Sequence, residues 1–96
     1  MPNIALTEKA DSDLEAIHEY YETRVGTASA DAVIAEMIEA LERLETFTGL
    51  GRPSQTPDVR ELVFARYPFI APYRLRYDEV QVLRILHQSK ERPEEW

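Results

Sequence analysis

The chain has 96 residues, 44% of them hydrophobic and 30% charged, which is the composition of one small soluble globular domain. It contains no cysteine, so disulfides and thiolate metal sites are excluded. No apolar stretch approaches the ~20 residues of a membrane span, and the N-terminus lacks the pattern of a signal peptide. We therefore expect a cytoplasmic protein.

The charge is unevenly distributed along the chain. The formal net charge is -7. Residues 1–48 carry three basic and eleven acidic side chains, whereas residues 49–96 carry eight basic and seven acidic ones. An acidic chain repels a polyanion at long range, so any nucleic-acid role would require a local basic patch in the second half.

The first half of the chain predicts a short strand and two helices. Residues Asn3–Leu6 form an apolar run that suits an edge strand, and Thr7 suits the N-cap of a first helix. Gly26 separates this helix from a second one, and the short connection predicts an antiparallel helical hairpin. Apolar residues spaced three and four apart predict the buried faces: Ala10, Leu14, Ile17, Tyr21 and Val25 in the first helix, and Ala30, Ile34, Met37, Ile38, Leu41, Leu44 and Phe47 in the second.

The second half predicts three antiparallel strands, at Val59–Phe64, Phe69–Tyr77 and Val80–His87. Pro72 lies within the middle run, and since proline cannot donate a ladder hydrogen bond, we expect a bulge or kink there. Asp78-Glu79 is the expected turn of the last hairpin.

Side-chain alternation along the middle strand separates apolar from basic residues. It places Tyr73, Leu75 and Tyr77 on the packing face and Arg74 and Arg76 on the opposite face. The predicted fold class is α+β, in the order β-α-α-β-β-β, with the helical hairpin on one face of a small, mainly antiparallel twisted sheet. We expect one domain over residues 1–96, including a charged tail at 88–96.

This arrangement resembles the RelE/ParE superfamily, the toxins of bacterial type II toxin–antitoxin modules, with the ParE-like branch favoured. The resemblance extends over nearly the whole chain and depends on the order and spacing of several segments: Ala10, Asp13-Leu14-Glu15-Ala16-Ile17, Tyr20-Tyr21, the Ile34–Leu44 stripe, Gly51-Arg52-Pro53, Val59-Arg60-Glu61-Leu62, Pro72-Tyr73-Arg74-Leu75-Arg76-Tyr77, Leu83-Arg84-Ile85-Leu86-His87 and Arg92-Pro93.

The resemblance implies a toxin that causes growth arrest and is neutralised by a cognate antitoxin in a hetero-oligomer. It implies one of two activities. RelE-like members cleave mRNA in the ribosomal A site, whereas ParE-like members inhibit DNA gyrase without being hydrolases. A family member that retains only antitoxin binding is a third alternative.

A ribosome-dependent mRNA endonuclease needs a general acid and base together with cations at the scissile phosphate. Arg60, Arg74 and Arg84 could supply the cations, and His87 the acid or base. However, residues 49–89 contain no lysine and no tyrosine follows His87, unlike the RelE-like pattern. These departures and the acidic balance favour gyrase inhibition by protein–protein contact over enzymatic activity.

The candidate residues for binding the target or antitoxin are Arg60, Arg74, Arg76, Arg84, His87 and Trp96. Arg74 is preferred because it aligns with the central-strand arginine of the family. The arginines also have a structural interpretation as cross-strand partners of Glu61, Asp78 or Glu79. His87 is more often a packed residue than a catalyst in such a position, and Trp96 can fold back on the sheet. We expect no metal and no cofactor.

Overall fold

The computed structural model describes residues 3–96, in which a helical hairpin packs on one face of a six-stranded sheet. None of the helices in this range is long and apolar enough to cross a membrane. The elements run in chain order as β1 (Asn3–Leu6), α1 (Glu8–Val25), α2 (Thr27–Glu42), a 3-10 turn (Arg43–Glu45), β2 (Arg52–Pro53), β3 (Arg60–Val63), β4 (Phe69–Arg76), β5 (Glu79–Val82) and β6 (Leu86–His87).

Helix α1 begins at the predicted cap. The Thr7 hydroxyl accepts a hydrogen bond from the Ala10 amide at 3.1 Å and donates to the Leu83 carbonyl at 2.7 Å. The Thr7 amide also donates to the Val82 carbonyl. One residue therefore starts the helix and fixes that helix end to the end of β5.

The helical hairpin turns on a single residue, Gly26, whose φ of 91° lies in the region that favours glycine. The predicted short connection is confirmed. The predicted apolar stripes are correct in their central turns but wrong at their ends, since Val25 and Phe47 are exposed. Helix α2 ends at Glu42 and the 3-10 turn at Glu45, so Phe47 no longer follows the helical stripe.

The strands lie in the order β1-β5-β4-β3-β2, and β6 pairs with β4 beyond the end of β5. β1 lies at one edge of the sheet, as predicted, and pairs in parallel with β5. The remaining strand pairs are antiparallel. The helices cover the face on which Leu62, Ala71, Tyr73, Val80 and Val82 lie. The predicted α+β class is thus confirmed.

Pro72 interrupts the ladder on one side of β4, and the expected bulge lies in the chain opposite Pro72, whereas β4 itself runs unbroken. Two residues of β4 (71–72) face three residues of the neighbouring chain (83–85), which is the extra residue that defines a β-bulge. The Pro72 carbonyl accepts from the Leu83 amide at 2.8 Å, but proline has no N–H to return. The predicted strand Val80–His87 is therefore wrong as one element, because the bulge divides it into β5 and β6.

The Asp13 carboxylate satisfies the donors that this bulge releases. It accepts from the Ile85 amide at 2.9 Å and from Arg84 Nε and Nη2 at 2.7 and 3.0 Å. Because Asp13 lies in α1, this bidentate pair binds the helical layer to the sheet at the bulge.

The hairpin between β4 and β5 turns one residue earlier than predicted. Arg76 pairs with Glu79, so Tyr77 and Asp78 form the two-residue turn, with φ values of 50° and 60°. Positive φ at both positions is the requirement of a type I′ turn. The prediction that Leu75 and Tyr77 pack inward with Tyr73 is wrong, since they are 51% and 97% exposed.

Tyr73 closes the end of the core near the loop before β2. Its hydroxyl donates to the Thr48 carbonyl at 2.7 Å and accepts from the Gly51 amide at 2.8 Å. Only glycine fits at residue 51, because a Cβ there would lie 2.6 Å from Tyr73 Cε1. Burial raises the pKa of the Tyr73 phenol, so the hydroxyl stays neutral and retains its donor.

Replacing Tyr73 by Phe should lower the free energy of unfolding by about 1–3 kcal/mol, because the Thr48 carbonyl and Gly51 amide lose their partner. Urea denaturation measures this change. The matched control is Tyr20→Phe, on an exposed ring of α1, for which we expect a change within about 0.5 kcal/mol. Equal effects of the two substitutions would contradict the role assigned to the buried hydroxyl.

Candidate functional site

The arginines of the second half divide into those that hold the fold together and those that face solvent. Arg84, predicted as a candidate for catalysis or binding, is the partner of Asp13, and both side chains are largely buried. Its guanidinium points to α1 and makes a bidentate contact. The structure therefore places Arg84 in the join between the two layers and not on an open surface.

Arg52 and Arg92 share the buried carboxylate of Glu61. Arg52 lies opposite Glu61 on the adjacent strand and approaches it to 3.2 Å. Glu61 therefore makes a cross-strand ion pair, but with Arg52 and not with one of the candidate arginines for which it was predicted. Arg92 Nε donates to the same carboxylate at 2.9 Å. The hydrogen bond from Arg92 is the largest cause that lowers the pKa of Glu61, and burial only partly opposes it.

This contact holds the C-terminal tail against the sheet. Arg92 also donates to the Gln88 and Lys90 carbonyls, so the tail curves around the Arg92 guanidinium. Trp96 is half-buried, and its indole N–H approaches the Thr56 hydroxyl at 3.4 Å. Trp96 thus folds back on the loop after β2, and an open groove of about 980 Å³ lies between that loop and the tail.

Arg60 does not lie on the same face of the sheet as Arg74 and Arg76. It pairs in register with Tyr73 and therefore belongs to the helix-covered face, at an end that the helices leave uncovered. Its Nη1 donates to the Gly51 carbonyl at 2.7 Å. A cleft of about 540 Å³ beside the end of β3 nevertheless brings Arg60 near Arg74 and Leu75.

Arg74 and Arg76 lie on the face opposite the helices, as predicted. Arg74 Nε donates to the neutral Gln81 amide oxygen at 3.0 Å, and within residues 3–96 neither arginine has a carboxylate oxygen within 4 Å. Asp78 and Glu79, predicted as alternative partners, make no ion pair in this range. These two guanidinium groups keep their charge available for an external acid.

The arm of β4 that carries these arginines projects beyond β3. β3 pairs with β4 only as far as Tyr73, so residues 74–76 have a neighbouring strand on one side only, that of β5. Leu75 and Tyr77 are exposed on the arm and at its tip. We call residues 74–79 the projecting hairpin, which combines two cations, an aliphatic and an aromatic side chain.

His87 lies far from this hairpin. It ends β6 and pairs with Phe69, whose ring it meets edge-on at 5.7 Å, and Nδ1 accepts from the Ser89 amide at 3.2 Å. Arg74 is five residues further along β4, roughly 17 Å away at the usual rise of a strand, and its side chain alternates to the other face. His87 is exposed, so the expectation of a packed histidine is wrong.

Sequence reasoning missed Asp13 as the partner of Arg84. The two residues are 71 positions apart, and the pairing depends on how α1 packs against the sheet. The only local signal was Pro72, which predicted a bulge but not the acid that meets it. Within the described residues, no group of three or more histidine, cysteine or acidic residues is arranged to hold a metal ion.

Comparison with known proteins gives consistent results. Residues 4–92 match the family described as the ParE toxin of the type II toxin–antitoxin system parDE. The chain is 34% identical over 91 residues to the proposed toxin Y4kP of Sinorhizobium fredii, a match covering 95% of this chain and 93% of that protein. A solved structure of the chromosomal ParDE system from P. aeruginosa has a TM-score of 0.84 at 37% identity, covering 91% of this chain and 96% of that one. The predicted superfamily and its ParE-like branch are confirmed.

Replacing Glu61 by Gln should release the tail, because the neutral amide no longer holds the two guanidinium groups. We expect a loss of about 1–3 kcal/mol in unfolding free energy. Trp96 is the only tryptophan, so its fluorescence reports tail docking directly and should shift to longer wavelength. Glu39→Gln, on the exposed side of α2, is the control.

The effect of Glu61→Gln on stability should depend on pH, because the Glu61 carboxylate titrates. Its native pKa lies below the ordinary value of 4.5, so its stabilisation is present above that pH and disappears as the pH falls through the native pKa. The difference in stability between the wild-type and Glu61→Gln proteins should therefore shrink as the pH is lowered below 4.5. A difference that stays constant as the pH is lowered from neutral into that range would contradict this assignment.

Proposed function

Because the chain belongs to the ParE toxin family of type II toxin–antitoxin systems, we propose that it inhibits DNA gyrase by protein–protein contact and is neutralised by a cognate antitoxin. The contact surface in this proposal is the projecting hairpin, with Arg74 and Arg76 facing carboxylates of the target. In this view the chain acts as a binder and not as an enzyme.

The observation that carries this proposal is the separation of Arg74 from His87. General acid–base cleavage of a phosphodiester requires its donor within hydrogen-bond reach of the reacting oxygen while a cation contacts the same phosphate. His87 lies opposite Phe69, the first residue of β4, whereas Arg74 lies near the other end of β4 and on the opposite face. Arg84 is bound to Asp13. The residues that a nuclease would need therefore do not converge on one phosphate.

Charge also supports a protein target. Three basic residues near the open end of the sheet (Arg60, Arg74 and Arg76) lie in a molecule of net charge -7. The overall field opposes approach to a polyanion, whereas a local pair of guanidinium groups is well suited to carboxylates at a protein interface. Arginine is also enriched among the residues that dominate interface energies.

We propose a different surface for the antitoxin. Leu50 and Val63 are exposed large apolar residues, and they line a common cleft of about 310 Å³ together with Ala40 and Arg43. The short β2 strand forms the sheet edge beside it. An antitoxin helix laid over this cleft, or a strand added at this edge, would cover apolar side chains and unpaired backbone groups together.

The purified wild-type chain should inhibit supercoiling by DNA gyrase, and the double substitution Arg74→Ala with Arg76→Ala should weaken inhibition by roughly 10-fold or more. Arg43→Ala is the matched control, since Arg43 is exposed on the helical side of the molecule. Unchanged supercoiling at micromolar excess of the wild-type chain would remove gyrase as the target.

A toeprinting assay on programmed ribosomes separates this proposal from the nuclease alternative. We expect no new mRNA ends with the wild-type chain. Cleavage that is lost in His87→Ala would establish the endonuclease instead. Induced expression without growth arrest would favour the non-toxic family member.

Coexpression with the product of the adjacent gene should give one complex by size-exclusion chromatography. Leu50→Glu together with Val63→Glu should weaken that complex by roughly 10-fold or more, because charges then replace the apolar contact. Tyr20→Glu, at another exposed apolar position, is the control. Persistent separation of the two wild-type proteins would contradict the proposed partner.

A further inference from the structure

Tyr77 has a conformation that its side chain disfavours. It occupies the first position of the two-residue turn with a φ of 50°. Bulky residues rarely adopt this left-handed region, and type I′ turns favour Asn, Asp or Gly there. Residues held in such conformations concentrate at functional sites, so the outlier calls for an explanation.

The fold gives no reason for an aromatic ring at this position. Tyr77 is 97% exposed, the highest value among the exposed large hydrophobic residues. Within residues 3–96 its side chain makes no hydrogen bond and no aromatic pair. The ring therefore contributes nothing to packing, while its backbone conformation counts against stability.

The neighbours of Tyr77 complete a surface that suits protein binding. Leu75 is the adjacent apolar side chain on β4 and is 51% exposed. Arg74 and Arg76 extend from the other face of the same strand without a carboxylate partner in the described range. Tyrosine and arginine are among the residue types enriched at binding hot spots, and a tyrosine loses little conformational entropy when it is bound.

We propose that Tyr77 is the anchor by which this chain binds its target: the ring inserts into an apolar pocket of a folded protein, and carboxylates at the rim of that pocket pair with Arg74 and Arg76. The inference depends on the proposed action by protein contact, and it assigns the residue that determines affinity. Leu75 extends the apolar contact from the tip along the arm.

The shape of the hairpin indicates which partner it contacts. A two-residue turn at the end of an arm that extends past β3 is convex, so it requires a concave surface on the other molecule. A large folded enzyme offers such a pocket. The antitoxin is assigned instead, as proposed above, to the cleft at Leu50 and Val63. The protein that binds the projecting hairpin is thus the target and not the antitoxin.

The decisive variant is Tyr77→Asn, because asparagine accepts the left-handed conformation better than tyrosine. We expect a melting temperature equal to or above that of the wild type, together with roughly 30-fold or greater weakening of binding to purified DNA gyrase. Affinity for the antitoxin should stay within about twofold, since the tip lies outside that contact. Tyr77→Phe keeps the ring and should retain most target binding, and Tyr20→Ala, at another exposed tyrosine, should change neither affinity.

The outcomes separate this inference from the choice of target. If gyrase is inhibited equally by the wild-type and Tyr77→Asn chains, the assignment of Tyr77 as the anchor is wrong and the proposed function stands. If the wild-type chain arrests growth without inhibiting gyrase, and Tyr77→Asn abolishes arrest at equal soluble expression, the anchor stands with another protein as target. A lower melting temperature for Tyr77→Asn, a loss of antitoxin binding alone, or no growth arrest by the wild-type chain would overturn the inference.

Discussion

Pro72 carries no backbone N–H, and this missing donor determines how the two layers of the protein are joined. The chain opposite it bulges by one residue, which turns Arg84 and the Ile85 amide away from the ladder. Both then meet Asp13 of α1, whose carboxylate accepts three hydrogen bonds. Leaving such buried donors unpaired would be costly, so helix, bulge and arginine are fixed together. The same bulge ends β5 at Val82 and sends β6 to the far end of β4.

The positions of the carboxylates determine which arginines are structural and which stay exposed. Asp13 and Glu61 are both largely buried, and each holds the guanidinium groups within its reach as part of the fold. Arg74 faces Gln81, a neutral acceptor that orients it without cancelling its charge. A row of similar residues in the sequence therefore separates into structural and exposed members according to the residue on the adjacent strand or helix. Only the exposed members remain available for a partner.

Much of the fold follows from local patterns in the sequence. Thr7 as a cap, Gly26 as the hairpin turn, the central turns of both helical stripes and the bulge at Pro72 all depend on residues within a few positions of one another, where spacing and backbone chemistry are decisive. The errors occur where a local pattern competes with tertiary structure. Alternation correctly separated Leu75 from Arg74, but it could not indicate that the helices stop short of Leu75. The ion pair of Arg84 could not be predicted, because it depends on the position of Asp13, which only the packed structure shows.

The turn at Tyr77 was misplaced for a physical reason that also bears on function. Asp78 and Glu79 look more like turn residues than tyrosine does, so a prediction from turn chemistry shifts the turn by one position. The register of β4 with β5 nevertheless places Tyr77 in the turn. Sequences usually agree with their structure at each local position, and disagreement tends to occur where a residue serves something other than stability. A hairpin whose most exposed side chain is also poorly suited to its backbone conformation is such a place. The tip would fold at least as well with asparagine, so the presence of an aromatic ring there is better explained by contact with another protein than by the fold itself.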